Sequence, residues 1–131
     1  MATQHRKNKT IAIDTNMILA VARFKTDIFS QARNLLGSDV EFVIPEKNLE
    51  ELEKLSRQGK KNEKEIMLAL EIMKKNNVKE IDAEGENADK CLEKLAAKGI
   101  IIATNDRALR KKIKVFGSNI FLKKKRFIAL E

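Results

Sequence analysis

Short apolar runs alternate with stretches of helical periodicity along this chain of 131 residues. Between the runs, apolar residues recur at intervals of three and four, which is typical of helices that pack on one face. Strands that alternate with helices at this spacing form a parallel sheet covered by helices on both faces. The pattern therefore predicts an α/β fold in three layers with about five strands, at residues 10–13, 41–44, 78–81, 100–103 and 119–122.

The helical stretches have recognisable beginnings and ends. Capping residues follow the first and fourth strands, Pro45 suits a first helical turn, and glycines follow several of the stretches. We expect helices at residues 17–22, 27–36, 45–58, 63–75, 87–98 and from 107 to about 114. In the fourth of these, the residues expected to face the core are Ile66, Met67, Leu70 and Met73.

The whole chain, residues 1–131, is predicted to be one domain, because its length is near that of an average domain and no linker or repeat interrupts it. Residues 1–9 are a polar, basic leader. Residues 123–131 are a tail that begins with four basic residues and ends with apolar ones. We expect the apolar part of this tail to dock back on the body of the domain.

One cysteine and one histidine limit the chemistry available to the chain. No internal disulfide, Cys-based zinc site or His-rich metal site can form, and a Ser-His-Asp triad would need His5 from the leader. Cys91 lies on the apolar side of a predicted helix, so we expect it in the core. No apolar run reaches the ~20 residues of a membrane span, and Asp14 interrupts the first run, which is unlike a signal peptide. We therefore expect a soluble, cytoplasmic protein without a membrane partner.

The net charge of +8, from 27 basic and 19 acidic residues, favours a polyanionic partner such as nucleic acid. The alternative is a lysine-rich surface that keeps the protein soluble. With no Trp or Tyr, and with Phe mostly at core positions, binding would depend on charge and shape rather than on base stacking. The candidate phosphate contacts, which could equally be a solvated tail, are Lys123, Lys124, Lys125 and Arg126.

Two acidic residues follow strands of the predicted sheet. Asp14 comes directly after the first strand, and Asp106 comes three residues after the strand at 100–103. In open α/β sheets, ligands bind beyond the carboxyl ends of the strands. Either residue could instead cap the helix that follows it. Because both follow the most apolar strands of the chain, a shared site is the better explanation.

The predicted helices bring further acids to the same crevice. The wheel of the third helix turns Glu50 to solvent and leaves Glu51 and Glu53 on the two edges of the buried stripe, without choosing between them. Asp89 lies on the edge of the buried face of the fifth helix. Converging carboxylates raise one another's pKa values, and a hard divalent cation such as Mg²⁺ or Mn²⁺ removes that penalty. On a basic protein, such a site suggests metal-dependent cleavage of a phosphodiester.

Four short segments resemble, in order and spacing, the acidic motifs of PIN-domain ribonucleases. The segments are Ile13-Asp14-Thr15-Asn16, Glu51-Leu52-Glu53-Lys54-Leu55, Ala88-Asp89-Lys90-Cys91 and Ala103-Thr104-Asn105-Asp106. The resemblance extends over residues 10–127 and implies the strand order 3-2-1-4-5 and Mg²⁺- or Mn²⁺-dependent cleavage of single-stranded RNA. It selects Glu51 over Glu53, and it implies that Thr104 and Asn16 position a water or the ligands. The catalytic metal ligands that it implies are Asp14, Glu51, Asp89 and Asp106.

The resemblance leaves the branch of the family open. The second to fourth segments look most like the branch linked to small-subunit ribosomal RNA maturation, which implies a pre-ribosomal particle as partner. The toxin branch is similar in size and motif, and implies an antitoxin. Lys90 and Ala108 stand where many relatives carry acidic or polar residues. This departure favours a third interpretation, a non-catalytic RNA-binding or assembly module, and it argues against two metals. Because similar proteins are commonly dimers, a homodimer is also expected.

Overall fold

The structure, a computed structural model, describes residues 9–131 apart from the side chain of Phe127. His5 and almost all of the predicted leader lie outside the described residues. The strands are β1 (Thr10–Ile13), β2 (Glu41–Pro45), β3 (Lys79–Ile81), β4 (Ile101–Ala103), β5 (Asn119–Lys123) and β6 (Phe127–Leu130). The helices are α1 (Thr15–Phe24), α2 (Ile28–Leu36), α3 (Glu46–Ser56), α4 (Lys60–Lys75), α5 (Ala88–Ala97) and α6 (Arg107–Ile113).

These strands form one sheet in the order β3-β2-β1-β4-β5-β6. Neighbouring strands from β3 to β5 run parallel, and β6 runs antiparallel to β5. The predicted α/β class and the strand order 3-2-1-4-5 are confirmed. The sequence pattern does not predict the sixth strand. The tail docks as expected, but it does so as an edge strand, with backbone hydrogen bonds in both directions between Asn119 and Glu131 (2.8 and 3.1 Å).

Two apolar clusters lie on opposite faces of the sheet, because successive side chains of a strand point to opposite sides. On β1, Ile11 and Ile13 belong to the cluster that also includes residues of α1, α2 and α4. Ala12 belongs to the cluster formed with α5 and α6. β1 is buried along its whole length, and Asp14, the residue that follows it, is buried as well. Cys91 is buried, as predicted.

The inner face of α4 differs from the one that the sequence predicts. Ile66 and Met73 are buried as expected, but Met67 and Leu70 are 58% and 40% exposed, and Ala69 is buried in their place. Both stripes have helical spacing, so periodicity alone does not choose between them. α4 packs against both α1 and α3, and Ala69 is buried in the core cluster that includes residues of α1 and α3.

None of the helices within residues 9–131 combines the length and the apolar character that a membrane crossing requires. The longest of them, α4, has 16 residues.

Candidate active site

Asp14 lies where β1, between β2 and β4, passes into α1. Its N–H donates to the carbonyl of Ala103 on β4 (3.0 Å), and its carbonyl accepts from Met17 and Ile18 in the first turn of α1 (3.0 and 3.2 Å). Its side chain makes no cap hydrogen bond to α1, so capping does not explain this carboxylate. Asp14 is turned into the fold and is only 5% exposed.

Among residues 9–131, only uncharged groups donate hydrogen bonds to the Asp14 carboxylate. Thr104 Oγ1 donates to Oδ2 at 2.8 Å, and Asn48 Nδ2 donates to Oδ1 at 3.4 Å. No ion pair of that part of the chain involves Asp14. Burial raises the pKa of Asp14 to about 6, the Thr104 hydrogen bond lowers that pKa, and the charges of Asp89 and Glu51 raise it. The site therefore holds a buried carboxylate that no basic side chain of residues 9–131 pairs with, and that two other carboxylates repel.

Asn48, which the sequence reasoning missed, links Asp14 to Glu51. It is fully buried on α3, and its Nδ2 donates to Thr15 Oγ1 at 2.9 Å as well as to Asp14. The Thr15 hydroxyl donates in turn to Glu51 Oε1 at 2.6 Å. Asn48 lies four residues before Leu52 and so shares its buried stripe. A polar residue in a predicted apolar row was the signal that could have identified it.

The structure distinguishes the two glutamates that the helical wheel leaves open. Glu51 receives the hydroxyl of Thr15, the residue after Asp14, and its charge raises the pKa of Asp14. Both glutamates are exposed. The carboxylate of Glu53 has no hydrogen bond or ion pair within residues 9–131, and the Ser56 hydroxyl donates to its backbone carbonyl at 2.6 Å. Glu51 is therefore the carboxylate of α3 that lies towards Asp14.

Asp89 and Asp106 stand at the starts of α5 and α6. Asp89 is exposed in the first turn of α5, and its charge raises the pKa of Asp14. Asp106 Oδ1 caps α6 by accepting from the N–H groups of Ala108 and Leu109 (2.9 and 3.2 Å). Capping thus accounts for one oxygen of Asp106, and within the described chain the other oxygen has no hydrogen bond.

Thr104 connects the start of α6 to Asp14 across the gap between β4 and β1, where the strand order reverses. It is fully buried. Its hydroxyl donates to Asp14 Oδ2 and accepts from the Asp106 N–H at 3.1 Å. Its own N–H donates to the carbonyl of Ile120 on β5 at 2.9 Å. One buried hydroxyl therefore fixes the Asp14 carboxylate relative to the loop that carries Asp106.

These side chains gather around Asp14 without enclosing a metal position. In the part of the chain that the structure describes, no group of three or more His, Cys, Asp or Glu side chains is arranged to hold a metal ion. Glu51 is engaged by Thr15, and Asp106 is engaged by its own helix. The donor chemistry nevertheless fits a hard divalent cation, because such ions prefer carboxylate oxygens and Asp14 is buried with neutral partners only.

The remaining predicted residues lie around this centre. Asn16 is exposed and helps to line a cavity of about 220 Å³ that also borders Thr15, Glu51, Lys54, Leu55 and Gln58. Of the basic residues 123–126, Lys123 ends β5 and the other three form the turn from β5 to β6. Asn105 Oδ1 accepts the N–H of Leu122 at 2.7 Å, which ties the end of β5 to the loop before Asp106.

Thr104→Val keeps the shape of this residue and removes both hydrogen bonds of its hydroxyl. We expect the Thr104→Val protein to bind Mn²⁺ about 10–100-fold more weakly, the size of effect found for partners that orient metal ligands. Isothermal titration calorimetry measures that affinity. The matched control is Thr10→Val on β1, whose buried hydroxyl has no hydrogen-bond partner among residues 9–131. Equal Mn²⁺ affinities for the two variants would contradict the role given to Thr104.

Comparison with known proteins assigns the family. The sequence matches the family model described as PIN like domain over residues 11–126. Ribonuclease VapC9 from Archaeoglobus fulgidus is 31% identical over 134 residues, covering 99% of this chain and 96% of that relative. Ribonuclease VapC4 from Methanocaldococcus jannaschii is 33% identical over 107 residues, covering 79% of this chain and 81% of that relative.

Solved structures share the fold. The PIN domain endonuclease Utp24 superimposes with a TM-score of 0.74 at 26% identity, over 93% of this chain and 90% of that chain. A domain of a functionally unknown protein from Methanocaldococcus jannaschii has a TM-score of 0.58 at 20% identity, over 87% and 91% of the two chains, and shows the fold alone. The chain belongs to the PIN like domain family, as its motifs predict, and the matched span contains Asp14, Glu51, Asp89 and Asp106.

Proposed function

We propose that this protein is an endoribonuclease that cleaves phosphodiester bonds of single-stranded RNA with the help of Mg²⁺ or Mn²⁺. The observation that supports this most is the state of Asp14, a buried carboxylate with neutral partners and two acidic neighbours. The fold gives such a carboxylate a use, because relatives of this chain include two proteins named ribonucleases and one endonuclease.

The residues of the chain have separate roles in this proposal. Asn48 and Thr104 donate to different oxygens of Asp14 and so fix its orientation before any substrate binds. Thr15 holds the Glu51 carboxylate beside it. When bound, a divalent cation lowers the pKa of a water and neutralises charge on the phosphate under attack. The residues that would hold the cation are Asp14, Glu51, Asp89 and Asp106.

Dependence on a divalent cation tests the proposal. We expect a fluorescently labelled single-stranded RNA to be cleaved internally in Mg²⁺ or Mn²⁺, to remain intact in EDTA, and to be cleaved again when the metal is restored. Undiminished cleavage in EDTA would contradict metal dependence. A thermal-shift measurement with Mn²⁺ reports metal binding independently of turnover, because a ligand that binds only the native state raises its stability.

Two biological settings fit such an activity, and different relatives favour each. The resemblance of the motifs to the branch linked to ribosomal RNA maturation, together with the similarity of this chain to the endonuclease Utp24, favours ribosomal RNA processing with a pre-ribosomal particle as partner. The match to VapC9 along nearly the whole length of both chains favours a toxin ribonuclease controlled by an antitoxin. In either setting we place the protein in the cytoplasm. Inhibition by the product of an adjacent short reading frame would favour the toxin over ribosomal RNA processing. That this chain forms a homodimer stays a prediction.

A non-catalytic RNA-binding module remains the competing class. Lys90, which replaces a possible acid, pairs with Glu93 at 3.6 Å, and Ala108 offers Asp106 only its backbone N–H. Neither residue adds a negative charge next to Asp14. RNA binding without cleavage in either metal would favour this module over the nuclease.

A further inference from the structure

The loop between β5 and β6 is built from basic residues in an unusual backbone conformation. The Arg126 N–H donates to the Lys123 carbonyl at 3.1 Å. The two residues between them, Lys124 and Lys125, have φ values of 54° and 62°. Positive φ at both central positions is characteristic of a type I′ turn, which Asn-Gly fills with least strain. Lysines at both positions are therefore unfavourable for the turn itself. We call residues 123–126 the basic loop.

Side chains of the α1–α2 region fix the basic loop to the body of the protein. Thr26 Oγ1 donates to the carbonyl of Lys125 at 2.6 Å, and Gln31 Nε2 donates to the carbonyl of Arg126 at 2.8 Å. The Nζ of Lys125 lies 4.8 Å from the ring centre of Phe24. The loop is thus held in place through its backbone and through the contact of Lys125 with Phe24.

The basic loop is a cluster of cations without ion pairs. Six basic residues of the described chain pair with acids, as in Arg23 with Glu65 at 2.7 Å and Arg110 with Glu131 at 2.8 Å, and most of the others do not. Among residues 9–131 no such pair involves the four side chains of the basic loop or the exposed Lys25, which is adjacent to Thr26. Five cations therefore lie together without neutralising partners in the described chain.

Two side chains link this positive surface to the acidic site. The N–H of Leu122, directly before the basic loop, donates to Asn105 Oδ1. Thr104, the residue before Asn105, donates through its hydroxyl to Asp14 Oδ2. We propose that the basic loop and Lys25 bind the phosphates of single-stranded RNA that flank the phosphate to be cleaved at Asp14. This inference rests on the proposed function and extends it to the path of the substrate. Such contacts position a strand without reading its bases.

Lys124→Asn combined with Lys125→Gly tests the role of the loop, since Asn-Gly removes two charges while favouring the same turn. We expect unchanged or higher thermal stability. Binding of a fluorescein-labelled single-stranded oligouridylate is measured by anisotropy in EDTA, so that no cleavage occurs. We expect the negative slope of log K against log salt to become less steep by about 1.4, at about 0.7 per phosphate contact. That slope corresponds to roughly 25-fold weaker binding at about 0.1 M salt.

The matched control is Lys111→Gln with Lys112→Gln on the exposed side of α6, which removes the same charge away from the loop. It should leave the affinity and the salt slope close to those of the unchanged chain. Equal losses in the two double variants would show that net charge alone matters, and would overturn the inference. Unchanged binding by the loop variant would overturn it as well, while leaving the proposed nuclease intact. If the unchanged chain bound no RNA in EDTA, the inference would fail, and the cleavage assay in Mg²⁺ or Mn²⁺ would decide the proposed function separately.

Discussion

Asp14→Asn is expected to slow cleavage of single-stranded RNA by at least ~100-fold while the fold stays intact. Asparagine has the shape of aspartate and can accept from Asn48 through one atom and donate to Thr104 Oγ1 through the other. It cannot supply the negative charge that a cation requires. Because groups that only orient metal ligands contribute about 10–100-fold, the loss of a ligand should exceed that range.

Initial cleavage rates in Mn²⁺ check this expectation, with circular dichroism to confirm the fold. The matched control is Glu53→Gln. Glu53 is an exposed acid on α3, two residues after Glu51, and within the described chain it makes no hydrogen bond to Asp14. It should keep the rate of the unchanged protein, whereas Glu51→Gln should not. Asp106→Asn retains a good helix cap and should lose activity like Asp14→Asn. Full activity in both Asp14→Asn and Asp106→Asn would refute the assignment of the site.

The same Asp14→Asn substitution is expected to stabilise the metal-free protein by up to about 3 kcal/mol well above pH 6. Burial, with repulsion from Asp89 and Glu51, raises the pKa of Asp14 from 3.8 to about 6, and each pKa unit corresponds to about 1.4 kcal/mol. Above that pH, folding places an ionised carboxylate where it is poorly solvated. Asparagine has no charge to bury, so this destabilisation disappears.

The direction of the pH dependence follows from the raised pKa. The native chain binds the Asp14 proton more tightly than the unfolded chain does, so the ionised group lowers the free energy of unfolding at high pH. This effect is complete above about pH 6 and vanishes below the ordinary value of 3.8. The stability gained by Asp14→Asn should therefore fall from about 3 kcal/mol to near zero between these pH values.

Urea unfolding of the two proteins in EDTA, repeated across this pH range, measures the difference. Adding Mg²⁺ should then stabilise the unchanged chain and leave Asp14→Asn unaffected, since only the former keeps the ligand. A variant that is less stable than the unchanged chain at every pH would contradict the view of Asp14 as a destabilising buried anion.

The part of the site that lies on strand ends could be predicted from the sequence. The apolar run before Asp14 predicts a buried strand, and the rule that ligands bind beyond the carboxyl ends of parallel strands places Asp14 and Asp106 at one edge. The helical wheel leaves Glu51 and Glu53 open, and the motif resemblance selects Glu51, whose carboxylate accepts from Thr15 in the structure. Helix capping by Asp106 is one of the two roles that the sequence offers, and the structure shows it for one oxygen.

What could not be predicted depends on contacts between distant segments. The side chain of Asn48 is useful only because α3 brings it beside β1, and a helical wheel contains no such information. The inner face of α4 is set by its packing against α1 and α3, which buries Ala69 and leaves Met67 and Leu70 exposed. β6 could not be predicted from its few apolar residues, because they form a strand only by pairing with the edge of β5.

β6 leaves one border of the sheet open to the outside, and open strand borders invite pairing with other chains. Gln31 on α2 closes part of that border. Its amide donates to the Arg126 carbonyl and accepts from the Ile128 N–H, each at 2.8 Å. One glutamine side chain thereby imitates the peptide group of a missing neighbour. Another strand could pair at these two positions only by displacing Gln31, so this side chain opposes intermolecular strand addition there.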